Sequence, residues 1–176
     1  SAILGMLPAG TVAGGRLDYV DASGTRTPLT AGRDGAARAA KLRGRVIGYV
    51  PQSPATYLTP VRTVGSQLGE TVRELGGARN PQDLLAQVNL EAQALDAFPH
   101  ELSGGMLQRA AIAFALAGGP DVLLADEPVS GLDPDLAQLT LGLLRRVADA
   151  GAAVVLITHD LQRLADSGTA DEVSVM

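Results

Sequence analysis

Two acids, Asp126 and Glu127, close the apolar run Val122-Leu123-Leu124-Ala125 in this 176-residue chain. A buried strand delivers such a pair to its carboxyl end, the edge where open α/β sheets bind ligands. Successive strand side chains point to opposite faces, so the two acids can do different work. Asp126 is suited to hold Mg²⁺, usually through water, and Glu127 to polarise an attacking water. Ser103-Gly104-Gly105 stands at a helix start, where backbone N–H groups at the positive end of the dipole suit a phosphate. Thr158-His159-Asp160 ends the next apolar run, and a neutral imidazole there can hydrogen-bond a γ-phosphate oxygen. Gln52, following Tyr49-Val50-Pro51, brings an amide able to touch both metal and water. Taken singly, each has a plainer reading: a structural cap, a solvated acid pair, a capping or core histidine. Their joint order is what carries weight.

The elements that must position these residues alternate between short apolar runs and helical patterns, the rhythm of an α/β domain with a largely parallel sheet. Arg45 to Val50, Val122 to Ala125 and Ala153 to Thr158 read as strands. The last two lack polar alternation, as strands buried on both faces do, and are expected at the centre of the sheet. Arg16 to Val20 precedes an Asp-Ala-Ser-Gly turn and belongs in an antiparallel edge sheet; Asp171 to Met176 reads as one further strand. Asn80-Pro81 and Asp133-Pro134 each give a capping residue with proline at the first helical position. The second opens a helix with Leu136, Leu139, Leu143, Leu144 and Val147 on one face, ending near Gly151. Ala31 to Ala40 reads as an exposed loop leading into a short helix, and Ser1 to Leu7 as the tail of an amphipathic helix. Between about Pro54 and Gly119 no strand-like run occurs, so a helical subdomain is expected there.

Composition narrows the classes. Hydrophobic residues are 46% and mean hydropathy is +0.16, which excludes intrinsic disorder. With 14 Lys+Arg against 19 Asp+Glu the formal charge is -5, and aromatics are 3% with no Trp, so general nucleic-acid binding and base-stacking platforms are disfavoured. No cysteine excludes disulfides, thiolate metal sites and thiol nucleophiles. The apolar stretch Ala110 to Gly119 stops at Pro120, short of the roughly 20 residues that a membrane-spanning helix needs.

The order Gln52, Leu102-Ser103-Gly104-Gly105, Leu123-Leu124-Ala125-Asp126-Glu127-Pro128, Ser130-Gly131-Leu132-Asp133, Thr158-His159-Asp160 resembles the nucleotide-binding subunit of ABC transporters. That resemblance implies an α/β, RecA-like P-loop NTPase core with a mostly parallel sheet, an antiparallel edge sheet and an inserted helical subdomain. The core would take residues 1–53 and 118–176, and the helical subdomain 54–117. It implies the Q-loop glutamine at Gln52, the signature at Ser103 to Gly105, the Walker B aspartate at Asp126, the catalytic glutamate at Glu127, the D-loop aspartate at Asp133 and the switch histidine at His159. Gln52 and Asp126 would then serve Mg²⁺, while Ser103, Gly104, Gly105, Gln108 and Asp133 would serve ATP. Pro99-His100-Glu101 before the signature, with Gln108-Arg109 after it, and Pro51-Gln52-Ser53-Pro54 followed by Leu58-Thr59-Pro60-Val61, look like the oligopeptide, dipeptide and nickel importer branch. His100 is read as structural.

The same family uses a phosphate loop, G-x-x-x-x-G-K-[ST], which does not occur here; Lys41, the one lysine, has neither the glycines before it nor a Ser/Thr after it. Ala2 to Pro8 resembles the end of the helix that follows that loop, so the chain is expected to be an internal piece of a longer subunit, binding ATP weakly or not at all by itself. The resemblance further implies a second ATP-binding subunit, the same or different, transmembrane permease partners, and a peripheral place on the cytoplasmic face of the membrane. A catalytically dead half of an asymmetric ATPase pair is the alternative. A DNA-repair or translation ATPase of the same superfamily is another, disfavoured by the short interval from Gln52 to Ser103 and by the importer-like stretch Pro51 to Gly65.

Overall fold

The computed structural model describes residues 18–29 and 35–174. Strands β1 (Asp18–Val20) and β2 (Arg26–Pro28) pair antiparallel, with Tyr19 opposite Thr27. Asp21 makes the turn between them: its carboxylate accepts from the N–H groups of Ser23 and Thr25 and from the Ser23 hydroxyl, the local bonding that makes Asp a turn former. The edge sheet expected around Arg16 to Val20 is present from Asp18 onward; Arg16 and Leu17 lie outside the described residues, as does Ser1 to Leu7. Helix α1 (Gly35–Leu42) takes up the second half of the stretch Ala31 to Ala40, where a loop is expected, and residues 31–34 lie outside the described residues.

The main sheet is parallel, in the order β3 (Ile47–Val50), β4 (Val122–Asp126), β5 (Ala153–Ile157). Its register sets Val50 beside Ala125 and Ala125 beside Leu156. β4 is central, and Leu123, Leu124 and Ala125 are each at most 1% exposed, as a continuous apolar run predicts. β5 departs from the expectation of a central strand. Among the described residues it has a neighbour on one side only, and its alternate positions Val155 and Ile157 stay 42% and 39% exposed. The strand expected from Asp171 is also not found over residues 171–174, which pair with no strand. Arg145, on the helix before β5, instead grips this segment through the Asp171 carboxylate at 2.8 Å, and Thr169, two residues ahead of it, through the carbonyl at 3.4 Å. Residues 175 and 176 lie outside the described range.

From Pro54 to Leu116 every regular element is helical: α2 (Val64–Glu74), α3 (Pro81–Gln87), α4 (Gly104–Leu116) and short 3₁₀ turns at Pro54–Thr56, Ala92–Leu95 and Pro99–Glu101. Side chains cap these helices, at Asn80 where the sequence signalled it and at Thr63 where it did not. Thr63 accepts from Ser66 N–H at the start of α2, and Asn80 from Gln82 N–H at the start of α3. Gln67, only 8% exposed, is the internal brace of the loop before α2: its amide donates to the carbonyls of Thr59 and Arg62 and accepts from Thr59 N–H. Helix α4 is buried along almost its whole length, so the apolar stretch from Ala110 is core helix as far as Leu116 and a turn from there to Gly119. Among the described residues no helix is long and apolar enough to cross a membrane. One apolar core joins α2, α3 and α4 to β3, β4 and α5 (Pro134–Asp149).

Sheet and helix approach closely at Gly48. A Cβ there would stand 2.4 Å from the Ala115 carbonyl oxygen, so only glycine lets β3 lie this near α4. Helix α5 (Pro134–Asp149) buries Ala137, Thr140, Leu141, Leu143 and Leu144, and α6 (Leu161–Ser167) ends on Gly168 in the left-handed conformation.

Candidate functional site

All three strands of the main sheet run parallel, so their carboxyl ends share one edge. Gln52, Glu127 and Thr158 each follow by two residues the matched positions Val50, Ala125 and Leu156, Gln52 in the bend just beyond the last pairing of β3. Four of the sequence-derived candidates, Gln52, Asp126, Glu127 and His159, therefore stand along one rim. Gln52 is exposed there, just beyond β3.

Glu127 leaves β4 in the left-handed region at φ 48°, where a non-glycine residue is strained. The turn is held by Glu127 N–H donating to the Ile157 carbonyl at 2.9 Å, and by Ser130 N–H donating to the Glu127 carbonyl at 3.1 Å. Its carboxylate is turned toward the end of β5. Oε1 accepts from His159 N–H at 2.9 Å and lies 2.7 Å from His159 Nδ1, and the Thr158 hydroxyl donates to Oε2 at 3.4 Å. The side chain of Glu127 is 15% exposed and that of His159 79%. The hydrogen bond and the charge of Glu127 raise the His159 imidazole above its ordinary pKa. An ionised carboxylate only accepts, so Nδ1 carries the proton in this pair. Neutral His159 is then left with an unprotonated Nε2, which cannot donate to a phosphate oxygen. This changes the chemistry expected from the sequence: in this arrangement His159 donates outward only as the imidazolium, the form Glu127 favours.

Asp126 ends β4 half-buried, and the Tyr49 hydroxyl donates to its Oδ2 at 3.2 Å. Tyr49 is a site residue that motif spacing did not single out. The signal was strand parity: Tyr49 pairs with Leu124, and Asp126 is two residues farther on the same face. Hard oxygen donors suit Mg²⁺. Among the described residues no group of three or more His, Cys, Asp or Glu side chains could hold a metal alone. The donor set thus fits Mg²⁺ in its usual habit, one carboxylate plus phosphate oxygens and water, and does not fit an all-protein cage.

Ser103, Gly104, Gly105 and Asp133 form a second group. Ser103 caps α4, its hydroxyl accepting from Met106 N–H at 3.3 Å, and Asp133 caps α5, accepting from Leu136 N–H at 3.0 Å. The two helix starts touch, since a Cβ on Gly105 would meet Leu136 Cδ1 at 2.7 Å. Ser103, Gly104 and Asp133 are exposed, and nothing lies within 4 Å of a Cβ at Gly104. Both helix starts are open; that of α4 carries no charged side chain in its first turn, while that of α5 carries the carboxylates of Asp133 and Asp135, which oppose the positive end of its dipole. Gln108 is placed apart from them: it is 5% exposed on the packed side of α4, and its Nε2 has no hydrogen-bond partner. Its neighbour Arg109 reaches back to the Gly105 carbonyl and across to that of Asn89, which has φ 55°.

The sequence matches the ABC transporter family description over residues 7–130. The chain belongs to the ABC transporter family. It is 40% identical over 146 residues to the oligopeptide transport ATP-binding protein OppD of Mycobacterium tuberculosis, covering 77% of this chain and 24% of that protein. It is 40% identical to a probable peptide ABC transporter ATP-binding protein, y4tR, of Sinorhizobium fredii, covering 77% and 43%. With the glutathione import ATP-binding protein GsiA of Salmonella paratyphi A it shares 42% identity, covering 77% and 23%. The chain thus spans about a quarter to two fifths of the length of these curated relatives. Among solved structures, a dimeric form of the ATP-binding cassette MJ0796 bound to ADP and Pi superposes with a TM-score of 0.61 at 31% identity, covering 72% of this chain and 58% of that one. The α/β ATPase-cassette fold and membership of an ATPase family follow, as does the resemblance to peptide-importer ATP-binding subunits.

Proposed function

We propose that this chain is the portion of an importer's ATP-hydrolysing subunit that carries the residues for water activation, metal binding and γ-phosphate sensing, serving uptake of peptides or a related small solute. The observation that carries this reading is the Glu127 carboxylate, set beside Asp126 at the end of β4 and joined to His159 across the sheet edge. Glu127 orients and polarises the attacking water, and Asp126 and Gln52 face the metal. Mg²⁺, when bound, neutralises charge on the phosphate oxygens. His159, as imidazolium, donates to the γ-phosphate. Oε1 cannot fully serve His159 and a water together, so nucleotide arrival loosens the Glu127–His159 contact.

Ser103 and Gly104, with Asp133 beside them, face away toward a second ATP-binding subunit and complete the nucleotide site of that subunit. Gly105 allows the two helix starts to meet, and Gln108 supports α4 from within. The helical stretch 54–117 moves as the unit that carries this signature, against a core formed by 1–53 and 118–176. Permease subunits receive the motion near Gln52 and hold the chain at the cytoplasmic face of the membrane.

The test is Glu127→Gln in the assembled importer. Removing the general base is expected to lower ATP turnover by about 10²–10⁴-fold with nucleotide binding retained. Wild-type turnover in the variant overturns the assignment.

A further inference from the structure

The motifs account for Gln52 and Asp126 but leave Tyr49 without a task, although it touches one and precedes the other. We propose that Tyr49 is a positioning residue for the metal-facing carboxylate: its hydroxyl, donated to Oδ2, sets the orientation of Asp126. The proposal rests on the metal role given to Asp126 above and adds to it the means by which that carboxylate is aimed.

Three observations support it. Tyr49 pairs with Leu124 in the β3–β4 register, so its side chain and that of Asp126 share a sheet face. The hydroxyl reaches Asp126 Oδ2 at 3.2 Å in a half-buried setting, and the ring packs against the small apolar cluster of Leu29, Ala39, Ile47 and Leu124, which fixes its direction. A bond of 3.2 Å is long for an O–H···O contact, so its contribution is orientation more than charge stabilisation. With Oδ2 engaged, Oδ1 is the oxygen presented to the metal. Because Tyr49 lies three residues before Gln52 on the same strand exit, the bond also ties the two metal-facing groups to one piece of backbone.

The chain has 3 Tyr and no Trp, which makes Tyr49 directly observable. In the full chain labelled at tyrosine Cζ, the resonance lost in Tyr49→Phe identifies it. Tyr19, bonded to Asp121 at 2.7 Å, is the internal control. Asp126→Asn is expected to move the Tyr49 resonance and leave that of Tyr19 in place. Sub-stoichiometric Mn²⁺, added with ATP so that phosphate oxygens complete its coordination, is expected to broaden the backbone amides of Asp126 and Glu127. Tyr49→Phe should weaken that effect about tenfold, the low end of losses when outer hydrogen bonds to ligating carboxylates are removed, with the urea midpoint preserved. A Tyr49 resonance indifferent to Asp126→Asn overturns the proposal, as does undiminished Mn²⁺ broadening in Tyr49→Phe. Equal broadening in wild type and Asp126→Asn overturns the metal role itself, and with it the proposal, and is recognised by that separate pattern.

Discussion

Replacing Gly48 by alanine tests how the main sheet and helix α4 are held together. The added Cβ would lie 2.4 Å from the Ala115 carbonyl oxygen, 3.0 Å from Pro120 Cγ and 3.1 Å from Leu123 Cδ1, whereas ordinary contact begins at 3.4 Å. The first contact is with backbone near the end of a buried helix, so no rotamer change relieves it; β3 and α4 must separate by about 1 Å or distort. Alanine is otherwise the better residue in a strand by roughly 0.5–1 kcal/mol, which makes the sign of the effect informative. Overpacking costs about 1–3 kcal/mol and more where backbone must move, so a net loss of about 2 kcal/mol is expected, a large share of the roughly 5–15 kcal/mol that holds a domain together. Urea unfolding followed by far-UV circular dichroism measures it. Gly104→Ala is the control: nothing lies within 4 Å of its Cβ, and stability should hold or rise slightly. A Gly48→Ala midpoint equal to or above wild type refutes the close approach of β3 to α4.

Three further outcomes are expected. Ile112→Ala, at a position 0% exposed in α4, should lower stability by about 2–5 kcal/mol in the same urea assay. Gln67→Met keeps the packing volume and removes the side-chain amide's bonds to Thr59 and Arg62; hydrogen exchange at the Thr59 amide should accelerate while helix α2 stays protected. By imidazole NMR, readable because the chain has 2 His, His159 should titrate above the ordinary histidine value and fall back in Glu127→Gln. Since folding raises this pKa, the stability it contributes is complete below the unfolded histidine value and is lost as pH rises through the folded one.

Much of the scaffold was legible because it rests on local rules. Val122 to Ala125 reads as a doubly buried strand and is one, and Asn80-Pro81 and Asp133-Pro134 marked helix starts that the observed caps satisfy. The order of strand-end motifs pointed to one sheet edge, and parallel pairing puts Gln52, Asp126, Glu127 and His159 along it. What pattern could not supply was information that depends on neighbours. Whether β5 is flanked on both sides is decided by which strand pairs with it, and its own apolar run is silent on that. The segment from Asp171 has strand-like residue types, yet it is held by Arg145 instead of by a ladder. Tyr49 acquires its contact with Asp126 only through the β3–β4 register, and the burial of Gln108 follows from which face of α4 meets the core. The protonation of His159 likewise becomes readable only once Nδ1 is seen against Glu127.

The measurement that bears most directly on the account is a titration of the isotope-labelled chain with MgATP, followed at every backbone amide by NMR. Shifts are expected along the carboxyl edge, at Gln52, Asp126, Glu127 and His159, and at the open helix start of Ser103 and Gly104. Saturation is expected only far above micromolar concentrations, because the chain lacks a glycine-rich lysine loop to grip the phosphates. Shifts centred on the opposite sheet edge around Asp121, Val122 and Ala153, or tight micromolar binding, would contradict it.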